Sequence, residues 1–102
     1  MPSLKQLQKE IYQNKLSRNF NVTDVGKEII LMTEELGELA RAYKNSNKKS
    51  APDISNKEAM IDAIGDLMVY CLGLYEMLGI DSEKNLTEII ENNRKRTLSG
   101  NF

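Results

Sequence analysis

Leu4, Leu7 and Ile11 recur at helical spacing near the start of the chain, and the polar stretch SRNFNVT, Ser17 to Thr23, ends the pattern. Apolar residues three and four apart share one helix face, so a first helix is predicted from Leu4 to Leu16. Thr23 or Asn21 offers a side chain able to cap a second helix that runs to Lys44. On it Val25, Ile29, Met32, Leu36, Leu39, Ala40 and Tyr43 form one apolar stripe. A polar loop containing Pro52 follows, and Ser55 with Glu58 fits a capping box for a third helix reaching Leu78. Gly79 is a natural stop, and Asp81 or Ser82 opens a fourth helix with Leu86, Ile89 and Ile90 on one face. No segment alternates like a strand. The expectation is an all-α fold, a four-helix bundle in one domain over residues 1–102, with helices three and four antiparallel across their short turn.

Two helices break the simple amphipathic rule. Glu34 and Glu38 lie opposite the stripe of helix two, with Glu35 to one side, but Ile30, Leu31 and Ala42 share that second face. Both faces are therefore expected to be buried, the glutamates with them. Helix three is apolar or glycine on all sides from Ala59 to Leu78 except at Asp62, Asp66 and Glu76. Asp62 and Asp66 share a face, one turn apart. So much apolar surface in so small a domain predicts at least a homodimer, and Gly65 and Gly73 permit close helix approach.

Composition narrows the chemistry. A net charge of −1 gives no broad footprint for nucleic acid or an anionic membrane. The single cysteine, Cys71, forbids an internal disulfide and reads as a buried thiol. The first residues lack the apolar core of a secretory signal, and Leu67 to Tyr75 is too short to span a bilayer, so a cytoplasmic protein is expected. There is no histidine, which excludes His-ligated zinc, Ser-His-Asp hydrolysis and Cys-His proteolysis.

What remains is carboxylate chemistry. If helices two and three pack side by side, Glu34, Glu35 and Glu38 face Asp62 and Asp66, with Arg41 the one cation near them on helix two. An unpaired buried carboxylate is costly or takes up a proton. An oxygen-only donor set of this charge suits Mg²⁺ or Mn²⁺. Glu58 is assigned to the helix cap and Glu76 to a rim; Tyr70 and the methionines read as core. On helix four Asn93 points inward, followed by Arg94, Lys95 and Arg96. These cations complement the helix dipole or bind phosphate, and position alone does not separate the two.

The segments EELGEL (Glu34 to Leu39), IGDLMVYCLGLYEMLGID (Ile64 to Asp81) and ENNRKR (Glu91 to Arg96) resemble the MazG-like all-α nucleoside triphosphate pyrophosphohydrolases. That superfamily includes all-α dUTPases, dCTP pyrophosphatases and phosphoribosyl-ATP pyrophosphohydrolases. The likeness covers Val25 to Arg96, and its pattern is EExxE followed by ExxD on the next helix. The resemblance implies hydrolysis of a nucleoside triphosphate to monophosphate and pyrophosphate. It implies that Glu35, Glu38 and Asp66 hold Mg²⁺, that Glu34 joins them or acts catalytically by activating water, and that Asn93 and Arg96 contact phosphate. One position departs: the glutamate of ExxD falls on Ala63. Asp62 beside it is acidic and is the candidate substitute.

The EExG fragment also occurs in Nudix hydrolases, but the preceding Arg-Glu pair of that class falls on Ile30 and Leu31, and strands are lacking. Two other readings stay open on the residues: a MazG-like nucleotide binder or interaction module without turnover, and a helical adaptor without metal. Nothing in the sequence selects a base or a sugar.

Overall fold

The computed structural model describes residues 1–46 and 54–96. Four helices carry these residues, with no strand among them: α1 (Leu4–Ser17), α2 (Val25–Ser46), α3 (Ile54–Met77) and α4 (Ser82–Lys95). No single helix among the described residues is long and apolar enough to cross a membrane.

Local chemistry sets the helix ends. Ser3 caps α1 in a reciprocal box: its Oγ accepts the Gln6 N–H at 3.1 Å while its own N–H donates to Gln6 Oε1 at 2.7 Å. Asn19 then turns the chain with φ 57°, and the Phe20 N–H returns to the Lys15 carbonyl at 2.9 Å. Asp24, rather than Thr23 or Asn21, serves the first turn of α2, its Oδ1 accepting the Lys27 N–H at 3.1 Å. Asn21 braces this turn from outside, accepting the Asp24 N–H at 3.0 Å. α3 opens at Ile54, and the expected capping box of Ser55 with Glu58 lies outside the described side chains. The polar loop with Pro52 lies outside the described residues. Gly79, at φ 70°, ends α3 as expected. Asp81 caps α4 by accepting the N–H groups of Glu83 and Lys84 at 3.0 and 3.2 Å. The Lys84 N–H is the main reason its carboxyl stays below the usual range.

α3 is the centre. α2 packs along one side of it and α1 along another, while α4 leans on α1 and α3 without reaching α2. The expected antiparallel pairing of α3 and α4 is replaced by a bend of 106° between them. Long-range hydrogen bonds explain the angle. Glu83 accepts the Leu4 N–H at 3.0 Å, and Gln8 donates to Glu76 and to the Ile80 carbonyl at 2.8 Å each, tying the α3–α4 turn to α1.

The α2–α3 seam is rotated from the predicted stripe. On α2 the half-buried positions are Val25, Leu31, Met32, Glu35, Leu39 and Ala42, with Glu28 buried, whereas Ile29, Leu36 and Tyr43 of the predicted stripe are exposed. Only Ala63 and Leu72 are fully buried apolar residues among those described. Ile30 of α2 is 63% exposed and Ile64 of α3 is 49% exposed. The expected burial of both faces of α2 is thus not met within one chain.

Candidate functional site

α2 and α3 bring four carboxylates into one electrostatic group. Glu35 sits half-buried on the α2–α3 seam, and its Oε2 is sealed from solvent with no hydrogen-bond partner. Burial raises its pKa above the ordinary 4.5, and the charges of Glu38, Asp66 and Glu34 raise it further. Glu34, Glu38 and Asp66 are themselves exposed, so the group is one buried carboxyl ringed by three solvated ones. Of the three glutamates expected to be buried, Glu34 and Glu38 are exposed and Glu35 is half-buried.

The other sequence-derived residues fall apart from this group. Asp62 is exposed one turn before Asp66. Ala63, at 5% exposure, occupies the packed side of α3 where the ExxD glutamate would stand. Asn93 is half-exposed and Arg96 exposed at the end of α4. Among the described residues α4 has no backbone contact with α2. Among the described residues, no three acidic or cysteine side chains converge tightly enough, as placed, to hold a metal ion. The donor chemistry nevertheless fits a hard cation: every candidate ligand is a carboxylate oxygen, and the orphaned Glu35 Oε2 is the atom that lacks a partner.

Glu35 and Asp66 form part of the wall of a cavity of about 770 Å³. Its other walls come from the end of α1, the α1–α2 turn and the start of α2, including Lys15, Arg18, Phe20, Asn21, Lys27 and Glu28. That volume falls in the range of small-molecule sites. Cations, carboxylates and aromatic rings all contribute to its lining. The pKa of Tyr70, which also lines the cavity, is raised by burial and then by Glu28, Glu35, Asp66 and Glu34.

Sequence reasoning missed the inner wall. Lys15 and Glu28, both buried, form a direct ion pair, and Asn21 Nδ2 donates to the second Glu28 oxygen at 3.0 Å. The Lys15 ammonium also lies 5.3 Å from the centre of the Tyr70 ring. Gly73 makes room for it, since a Cβ there would stand 3.1 Å from Nζ. One signal was available: Lys15 continues the face of Leu4, Leu7 and Ile11, where a cation is out of place.

Comparison with known proteins agrees with this architecture. The family model described as phosphoribosyl-ATP pyrophosphohydrolase matches residues 4–93. No curated protein and no solved structure matches the chain.

Proposed function

Since the chain belongs to the phosphoribosyl-ATP pyrophosphohydrolase family, within the MazG-like all-α superfamily, we propose that it is a Mg²⁺-dependent hydrolase of a nucleoside triphosphate or a compound built on one. The products are the monophosphate and pyrophosphate. The observation that carries this reading is the buried, unpartnered Glu35 oxygen, ringed by Glu34, Glu38 and Asp66 at the edge of a cavity of nucleotide size.

Glu35, Glu38 and Asp66 would hold the ion, the exposed Glu38 and Asp66 turning toward Glu35 by side-chain rotation. When bound, Mg²⁺ supplies neutralisation of the phosphate oxygens and acidifies a water. Glu34, exposed and adjacent to Glu35, would accept that water's proton. The water oxygen bonds to a phosphorus flanking the α–β bridge, that bridging bond breaks, and the bridging oxygen leaves on the departing phosphate. Positioning and charge neutralisation suffice for such chemistry, so no covalent nucleophile is required. Arg18 and Lys27, on the cavity wall within the chain, are the nearer cations for a polyphosphate. Asn93 and Arg96 would contribute only across a subunit boundary. A homodimer or homotetramer is part of this proposal, supported by the open apolar faces of α2 and α3.

A second reading is favoured by one observation. With Ala63 buried in place of the fourth ligand, a chain that binds nucleotide but turns it over weakly remains consistent with the site. Product analysis separates the two. Purified protein is incubated with ribo- and deoxynucleoside triphosphates and phosphoribosyl-ATP, with Mg²⁺ and with chelator. Monophosphate or its phosphoribosyl counterpart plus pyrophosphate, lost with chelator and in Glu38→Gln, is the expected result. No turnover on any substrate, in the parent and in Ala63→Glu alike, would defeat the enzyme reading.

A further inference from the structure

The α1–α2 turn is more firmly built than a connection needs to be, and it holds an aromatic ring in water. Phe20 is 54% exposed although its backbone N–H is fixed to Lys15. The Arg18 guanidinium lies 5.5 Å from the ring centre. Both residues stand on the cavity wall. A planar ring backed by a cation is suited to a ligand that is itself planar and anionic.

The anchor of this turn lies inside the protein. Asn21 spends both amide protons, on the Asp24 carbonyl at 2.8 Å and on Glu28 Oε2 at 3.0 Å, while its Oδ1 accepts the N–H groups of Thr23 and Asp24 at 3.4 and 3.0 Å. Glu28 is 2% exposed and takes Lys15 on its other oxygen. A buried carboxylate saturated on both sides by donors from α1 and from the turn can settle in few other arrangements. Its pairing is costlier to assemble than an apolar contact of the same size, so stability alone is a weak reason for it.

We propose that Glu28 is a positioning residue for substrate: through Asn21, it holds the α1–α2 turn in the geometry that presents Arg18 and Phe20 to the cavity. The inference rests on the reading that this cavity takes the nucleotide. Glu28 touches no reacting atom, so its loss acts on substrate binding and leaves the chemical step at the carboxylates of α2 and α3 in place. Glutamine at position 28 keeps the shape but turns an amide against one of the two donors, Lys15 or Asn21.

The chain contains no tryptophan, so Phe20→Trp places a single indole reporter on the turn. In that background Glu28→Gln should raise KM by about tenfold with kcat within about twofold, one lost charged hydrogen bond being of that order. Acrylamide quenching of the indole fluorescence should rise at the same time. Asn21→Ala cuts the link from the other end without opening the ion pair, and should have the same two effects. Lys15→Gln leaves the Glu28–Asn21 bond intact; it should lower Tm but leave indole quenching unchanged. A fall in Tm for Glu28→Gln and Asn21→Ala with KM and quenching unmoved would reduce the network to a structural staple and overturn the proposal. So would a loss confined to kcat. If the Phe20→Trp parent and the unsubstituted chain turn over no nucleotide, the hydrolase reading fails on its own, and quenching still decides: unchanged quenching in Glu28→Gln overturns the positioning role, and increased quenching upholds it.

Discussion

The side-chain oxygen of Gln8 accepts the backbone N–H of Ser82 at 2.9 Å, joining the middle of the first helix to the first residue of the last. The same amide donates to Glu76 and to the Ile80 carbonyl, so one buried side chain fixes the end of α3 and the start of α4 together. Gln8→Leu removes all three bonds and strands the buried Ser82 N–H. The expected destabilisation is roughly 2 kcal/mol or more, measurable as a lowered denaturation midpoint. A midpoint unchanged from the parent would mean that α4 is held by other contacts.

Glu35 makes the metal-free protein sensitive to pH. Its pKa is raised in the folded chain, so between the unfolded value near 4.5 and the folded one the native state binds more protons than the unfolded state. Stability conferred by that proton is present at low pH and is lost as pH rises through the folded pKa. Glu35→Gln should therefore raise Tm at neutral pH in the presence of chelator. That gain should shrink toward zero as the solution is acidified below the window. Thermal melts across roughly pH 4 to 8 would show it; a gain independent of pH would point to packing.

Relief of the same repulsion should be visible with Mg²⁺. Added ion is expected to raise the Tm of the parent and not that of Glu38→Gln, and its affinity should increase with pH because Glu35 must give up its proton. Loss of a residue that supports a ligand indirectly costs about 10- to 100-fold in activity, so Glu38→Gln should lose at least about 100-fold. Calorimetric titration in buffers of different ionisation enthalpy would detect the released proton. Equal Mg²⁺ stabilisation of parent and Glu38→Gln would place the ion elsewhere.

The Lys15–Glu28 pair is suited to a double-mutant cycle. Removing either partner alone leaves an uncompensated buried charge, which costs about 3–5 kcal/mol. Lys15→Met with Glu28→Leu should be milder than the sum of the two single changes, because neither charge is left behind. Urea denaturation of the four proteins gives the coupling; additivity would show that the two groups do not depend on each other.

How far the sequence foretold this molecule depends on which contacts are local. The helices followed from periodicity and punctuation: Gly79 ends α3, Asp81 caps α4, and the first helix begins at Leu4. The rotation of α2 was hidden because apolar residues occupy both of its faces, and the pattern alone cannot choose the one that meets α3. The bend into α4 was hidden because Leu4, Gln8 and Glu83 set it from opposite ends of the chain. At the site, Glu35 and Asp66 were legible as acids on apolar helices. Lys15 and Glu28 were less so, because their pairing passes across a turn that propensity does not describe.

The open faces of α2 and α3 set a further expectation. Light scattering should report a dimer or larger at micromolar protein, and Ile30→Glu together with Ile64→Glu should dissociate it. A monomer for the parent would exclude the shared-site arrangement that brings Asn93 and Arg96 to phosphate.

Ala63 and Leu72 alone, among the described apolar residues, are fully withdrawn from water. If copies of the chain cover the remainder, as proposed, they supply part of its stability. Once copies cover one another, folding and association become a single equilibrium governed by mass action. Tm then climbs with protein concentration, and specific activity stops being constant: below the association threshold, dilution unfolds and silences the chain in the same step.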